Sequence, residues 1–252
     1  SILSLFGCSS YFILKETTKK VIELLKSANE VEKVLISKSA SGEVIKEILD
    51  LCKNREIYYQ YVPEVKINSL TRANHQGVVA ITALIQYYQV QDIIDYVFEK
   101  GEEPLLLILE NVTDVRNLGA LARTALGLGV HAIVFPKKES AAVNDVAVKI
   151  SAGALLKIPV CRVDNIIATI KDIKNNGIKL IGLDGTADKF IHEVNTKMPL
   201  AIVAGSEDEG ISNPVIRLID ELVKLPMNTE LESYNVSVAT AMALYEVKRQ
   251  KI

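Results

Sequence analysis

The chain of 252 residues has no tryptophan, three cysteines, three histidines and no long apolar run, and each shortage removes a class of protein. Cys8, Cys52 and Cys161 are odd in number, far apart and free of any C-x-x-C pair. Neither a disulfide framework nor a zinc site is expected, no metal is called for, and a reducing cytoplasm fits best. His75, His131 and His192 are scattered, without partners at metal or triad spacing, and read as structural or exposed. No stretch approaches the roughly 20 apolar residues of a membrane span. The opening segment Ser1–Leu14 is apolar, but no basic region precedes it and Gly7, Cys8, Ser9 and Ser10 interrupt it, which argues against a signal peptide. A net charge of −2 offers phosphate no overall attraction, so a nucleic-acid partner would need a local basic surface.

What is present is an aliphatic core. Apolar residues make up 49% and charged ones 24%, the balance of a folded chain, and the length favours two domains. From Glu16 to about Leu84 a helical period (Val21, Ile22, Leu24, Leu25) leads to a strand signal at Val34–Ile36. A second helix (Val44, Ile45, Ile48, Leu49) follows, then strand signals at Ile57–Tyr59 and Gly77–Ile81. Residues 1–84 are therefore expected to form a small α/β unit. Residues 85–104 are polar, with a short helical signal near Ile93–Phe98, and are expected to be a linker. In 105–252, strands are expected at Leu105–Leu109, Ala132–Phe135, Ile158–Cys161, Lys179–Leu183, Leu200–Ala204 and Glu221–Leu225, with helices between most of them. That alternation predicts a parallel sheet covered on both faces, with ligands at the carboxyl ends of its strands.

Three polar segments follow strands. The first, Glu110–Arg123, crowds Asn111, Asp114 and Asn117 into a turn, where Asn117 is placed to cap the next helix and Arg123 lies six residues on. An Arg fork there could grip an RNA phosphate; an ordinary cap with a surface ion pair is the plain alternative. The second, Gly205-Ser-Glu207-Asp208-Glu209-Gly210-Ile211-Ser212, is a glycine turn. It lacks the Gly-Lys-Ser/Thr of a Walker loop, and its acids suit a cationic sulfonium better than a triphosphate. Equally, the glycines could make a tight turn with Ser212 or Asn213 capping a helix. The third, Leu225–Ala239, runs through Pro226, Met227, Ser233, Tyr234 and Asn235 to a helix that Asn235 or Ser237 can begin. Its small residues Ala239, Thr240, Ala241 and Ala243 more often mean close helix packing than a ligand site. Gly127-Leu-Gly129 imitates a dinucleotide fingerprint but sits between helix and strand, the reverse of the required order, and is set aside.

In this order the segments resemble the three motifs of the SpoU (TrmH-like) RNA 2′-O-methyltransferases of the SPOUT superfamily, over about Leu105–Lys248. The likeness is carried by Asn117-x-Gly-Ala-x-x-Arg123, by Gly205-x-Glu207-x-x-Gly210, and by Pro226-Met227 followed by Ser233-x-Asn235-Val-Ser237-Val-Ala. Asp208 stands where many members have Gly and Tyr234 where many have Leu. The resemblance implies an α/β, parallel-sheet domain with a deep trefoil knot, a homodimer, S-adenosylmethionine as methyl donor, and RNA as substrate. It implies catalytic or positioning roles for Arg123, Asn117, Glu207, Ser233 and Asn235. A donor pocket would be formed by Gly205, Glu207, Gly210, Leu225, Met227, Tyr234 and Asn235, with Asn235 and Glu207 on its polar side. The guanidinium is a poor base at neutral pH, so Arg123 is expected to clamp phosphate and orient the hydroxyl.

The first unit is similar to the ribosomal-protein-like substrate-binding domain of the ribosomal RNA branch, chiefly through Asn74–Ala80. Ser1–Tyr11 departs from the usual opening. Residues 1–80 hold 11 Lys and Arg against 9 Asp and Glu. RNA contacts are expected from Arg72, Asn74, His75 and Gln76 there, and from Arg116 and Arg123 in the second unit. A 23S ribosomal RNA guanosine is the first choice of substrate and transfer RNA the second. The rival from another class is a catalytically silent RNA-binding ribosome-assembly factor of the same fold; a nicotinamide dehydrogenase lacks its strand-then-glycine fingerprint.

Overall fold

Runs of consecutive aliphatic residues, rather than alternating ones, mark strands buried on both faces, and they dominate the larger part of this chain. The computed structural model describes residues 13–14, 17–26, 31–71, 74–82, 84–206, 208–228 and 230–252. The chain divides into two units, residues 1–86 and 87–252.

The first unit runs β1 (Ile13–Leu14), α1 (Thr18–Lys26), β2 (Val31–Ser37), α2 (Glu43–Asn54), β3 (Tyr58–Val62), α3 (Glu64–Leu70) and β4 (Val78–Thr82). Its sheet is ordered β1-β4-β2-β3, with β2 parallel to β3 and antiparallel to β4. On one face Val34 and Ile36 pack with Val21, Leu25, Ile45 and Ile48 of α1 and α2. On the other, Leu35, Val62 and Val79 meet Ile67 of α3, as period-two alternation requires. The opening Ser1–Tyr11 lies outside the described residues.

The second unit begins with α4 (Val90–Glu99), inside the stretch expected to be a linker. Its Ile93, Ile94 and Val97 are buried in one cluster with Leu106, Ile108, Ile170 and Ile173, so this helix is part of the second unit's core. There follow β5 (Leu105–Leu109), α5 (Val115–Gly127), β6 (Ala132–Pro136), α6 (Asp145–Ile150), β7 (Val160–Val163), α7 (Ile166–Asn175), β8 (Lys179–Leu183), β9 (Lys189–Phe190), β10 (Leu200–Ala204), α8 (Asn213–Ile216), β11 (Glu221–Lys224) and α9 (Val236–Lys251). The strands form one sheet, ordered β7-β6-β5-β10-β8-β11-β9, and every neighbouring pair is parallel. The strand expected at Ile158–Cys161 starts two residues later, because Ile158 and Pro159 still belong to the turn feeding it. All five residues of β5 are buried. Leu106 and Ile108 meet α4 and α7, and Leu107 points to the opposite face.

This topology decides where a site can form. In a parallel sheet all carboxyl ends share one edge, and β10, β8 and β11 are adjacent there. The loops after Leu183, Ala204 and Lys224 therefore converge, although up to forty residues separate them in sequence.

Candidate active site

The β10 loop folds onto itself. Ser206 and Gly210 exchange both backbone hydrogen bonds, each at 3.1 Å, and Ser206 Oγ accepts from the Glu209 amide at 3.1 Å. A Cβ on Gly205 would lie 2.1 Å from the Gly210 carbonyl carbon, so only glycine fits there. The close approach that Gly205 permits is thus made by its own loop. Gly210 has φ +68°, which likewise favours glycine. The loop's far end is anchored by Glu110, which is 5% exposed: its carboxylate accepts from the Ser212 amide (2.9 Å) and the Ser212 hydroxyl (2.6 Å). Ser212 occupies the cap position of α8, but its hydroxyl donates to Glu110 and does not cap the helix.

The β11 loop is closed differently. The Tyr234 hydroxyl donates to the Pro226 carbonyl at 3.0 Å, tying the loop's end to its start. Asn235 then caps α9, its Oδ1 accepting from the Ser237 amide (3.0 Å) and hydroxyl (2.5 Å). Its Nδ2 donates to Asn117 Oδ1 at 3.1 Å, joining the first motif to the third.

Asn117 itself is not the cap of α5. Asp114 is: its backbone is extended and its Oδ1 accepts from the Arg116 amide at 2.6 Å. This corrects the sequence-based placement by three residues. Asn117 stands inside the first turn, where its amide is available to α9. Gly119 is required by packing, since a Cβ would meet the Ala147 carbonyl at 2.8 Å. Arg123 is exposed on α5 and makes no hydrogen bond or ion pair among the described residues.

The three converging loops enclose a cleft of about 1130 Å³. Gly205, Gly210, Leu225, Met227, Ser233 and Tyr234 all line it. Asn117, Arg123, Arg116 and Asn235 do not; the first three lie on α5, which the Asn117–Asn235 bond joins to the start of α9. Asn235, expected on the pocket's polar side, spends its amide on α9 and Asn117. Glu207 lies outside the described residues. The β8 loop, not expected from the sequence, also lines the cleft through Asp184, Gly185 and Thr186; Asp184 accepts from the Thr186 amide and hydroxyl at 2.7 and 2.6 Å. An Asp-Gly directly after a strand was the available signal.

In the first unit the expected RNA contacts are differently employed. His75 is 9% exposed; its Nδ1 accepts from the Gly77 amide at 3.0 Å and its Nε2 donates to Asn68 Oδ1 at 2.7 Å. Gln76 Oε1 accepts from the Thr18 amide (3.2 Å) and hydroxyl (2.9 Å), serving the start of α1. Both side chains are spent on the fold. Asn74 is exposed, and Arg72 lies outside the described residues. His131 is structural: Nδ1 accepts from the Leu105 amide and Nε2 meets Glu102. His192 stacks on Phe190.

A seven-stranded parallel sheet with a large cleft over its carboxyl edge, walled by glycine-bearing loops and a capped helix start, defines an α/β enzyme that takes a nucleotide-sized ligand. The model of the SpoU rRNA methylase family matches residues 104–245, and that of the RNA 2′-O ribose methyltransferase substrate-binding domain matches residues 18–88. The chain belongs to the SpoU (TrmH) family, which places it among S-adenosylmethionine-dependent RNA 2′-O-methyltransferases. It is 37% identical over 231 residues to the Bacillus subtilis protein YacO, named as a TrmH family tRNA/rRNA methyltransferase, covering 92% of this chain and 93% of that one. A Staphylococcus epidermidis relative of the same family name is 34% identical with the same coverage. Among solved structures it is similar to the SpoU methyltransferase AviRb of Streptomyces viridochromogenes in complex with AdoMet (TM-score 0.60, 22% identity, 95% of this chain and 90% of that one). It is also similar to the TrmH/SpoU tRNA modifying enzyme of A. aeolicus (TM-score 0.54, 27% identity, 64% and 83%). Among the described residues no helix is long and apolar enough to cross a membrane.

Proposed function

We propose that the chain methylates a ribose 2′-hydroxyl of a guanosine in 23S ribosomal RNA, in the cytoplasm and as a homodimer with a knotted C-terminal domain. Transfer RNA is the second choice of substrate. The observation that carries the reading is the Asn117–Asn235 bond, which ties the helix bearing Arg123 to the helix whose first turn walls the cleft.

The cleft's own chemistry fits the methyl donor. Ala204, Ile211, Val223, Val236 and Ala239 offer an apolar floor for a heteroaromatic ring, and Asp184, Asp208, Glu209 and Glu232 offer negative charge to a sulfonium. When bound, S-adenosylmethionine supplies an electrophilic methyl group. Leu225, Met227, Tyr234 and the Gly205–Gly210 loop hold and shield the nucleoside part. Arg123, exposed beyond the cleft, presents its fork to an RNA phosphate, orients the ribose hydroxyl and stabilises negative charge developing on it; water or the phosphate takes the proton. Arg116 and Asn74, both exposed, extend the RNA contact. The dimer reading is supported by the outer faces of α5 and α9, where Leu126, Val238 and Tyr245 are exposed.

Mapping 2′-O-methyl groups in total RNA with and without the gene tests this. Loss at one guanosine of 23S ribosomal RNA is the expected result. Loss at a transfer RNA position moves the substrate, and no change at any position favours the silent assembly factor.

A further inference from the structure

Thr240 lies one turn into α9, on the lining of the cleft, and is 0% exposed. Its Oγ1 has no hydrogen-bond partner among the described residues, and no other buried side-chain nitrogen or oxygen among them is so placed. That is an unusual condition. A threonine inside a helix ordinarily donates to the carbonyl four residues earlier, and a buried hydroxyl left unpaired is costly. Valine would fill the same volume without the penalty. The residues sharing the deep part of the cleft, Ala204, Val223, Val236 and Ala239, are apolar, whereas the exposed acids Asp208, Glu209 and Glu232 sit on its loops. A flat ring carrying nitrogens suits the first region, and a cationic amino-acid tail suits the second.

We propose that the Thr240 hydroxyl is a hydrogen-bonding contact to the adenine ring of the methyl donor, unpaired until the donor binds. This rests on the reading of the cleft as the donor site. A hydroxyl can donate to a ring nitrogen or accept from the exocyclic amine, so either edge of the base can satisfy it.

The test compares wild type with Thr240→Val and Thr240→Ser, using calorimetric titration with S-adenosylmethionine and with adenosine, and thermal unfolding without ligand. Thr240→Val is expected to weaken both ligands by about five- to tenfold, the loss of one hydrogen bond, and to leave the unliganded Tm unchanged or higher. Thr240→Ser keeps the hydroxyl and is expected to bind nearly as wild type does. Unaltered affinity in Thr240→Val, a loss confined to S-adenosylmethionine and absent with adenosine, or a lowered unliganded Tm with unchanged affinity would each overturn the contact alone. A wild-type protein that binds neither ligand overturns the donor-site reading, and this contact with it.

Discussion

The turn at residues 74–77 and the loops at the carboxyl edge of the large sheet look alike in sequence, each a polar cluster beside a strand, yet they use their side chains in opposite ways. In the turn, Gln76 and Gly77 adopt positive φ (+47° and +77°), which turns backbone donors away from the ladder. His75 answers that need by accepting from Gly77, while Gln76 reaches away to accept from Thr18 at the start of α1. At the sheet edge, the β10 loop closes through the backbone pair Ser206–Gly210, and the β11 loop through the Tyr234 hydroxyl on the Pro226 carbonyl. That leaves Ser233, Met227 and Leu225 to line the cleft. A polar cluster thus becomes a site where few of its side chains are needed to close the loop, and scaffold where the turn consumes them.

The sharpest way to break this contrast is at Arg123, which no described residue engages. Arg123→Ala is expected to lower single-turnover methylation by about 10²–10³-fold, the usual effect of removing a charge-stabilising donor. Donor affinity measured by calorimetry should not change, because Arg123 does not line the cleft. Arg123→Lys keeps the charge and loses the fork; near-complete retention of turnover would refute the bidentate clamp. Next in size is Gly205→Ala. With its Cβ 2.1 Å from Gly210, the loop must open, so donor binding should fall by at least an order of magnitude and stability by about 1–3 kcal/mol. Full binding by this variant would mean the loop's closed form is not the one that holds the ligand.

Much of the sheet was legible because its strands are apolar runs of the right length between helical periods. Six of its seven strands were expected within about two residues. β9 was missed because two residues, Lys189 and Phe190, carry no periodicity, and α3 because only Ile67 of its seven residues is buried. The site was legible by motif in two of its three loops. The third, Asp184–Thr186, was hidden because nothing local says that β8 lies between β10 and β11; that order is set by non-local pairing. The cap of α5 was misplaced because Asp114 and Asn117 are both good caps one turn apart, and only the extended backbone at Asp114 decides between them. Thr240 read as one of a row of small packing residues, since burial without a partner has no sequence signature.

His75→Ala sharpens the contrast from the first unit. Removing a buried ring that accepts from the half-buried Gly77 amide, and whose other nitrogen donates to the exposed Asn68, costs its packing and one hydrogen bond, and a loss of about 1–2 kcal/mol in chemical denaturation is expected. RNA affinity of the folded variant should be unchanged. If affinity falls while stability holds, His75 faces the RNA after all and the two regions are not opposites.

Tyr234 tests the contrast from inside the cleft, because its side chain behaves like those of the turn. Its hydroxyl is committed to the Pro226 carbonyl while its ring lines the cavity. The tyrosine thus adds a latch across the loop from Pro226 to Ser233, holding Met227 in the wall before any ligand arrives. Tyr234→Phe keeps the ring and removes the latch. A partly exposed neutral hydrogen bond contributes about 0.5–1.5 kcal/mol, so affinity for S-adenosylmethionine should weaken by several-fold, with turnover at saturating donor unchanged. An equal effect on turnover would show that the hydroxyl acts on the reacting groups. No effect at all would show that backbone and apolar contacts fix the loop without it, as at Ser206–Gly210.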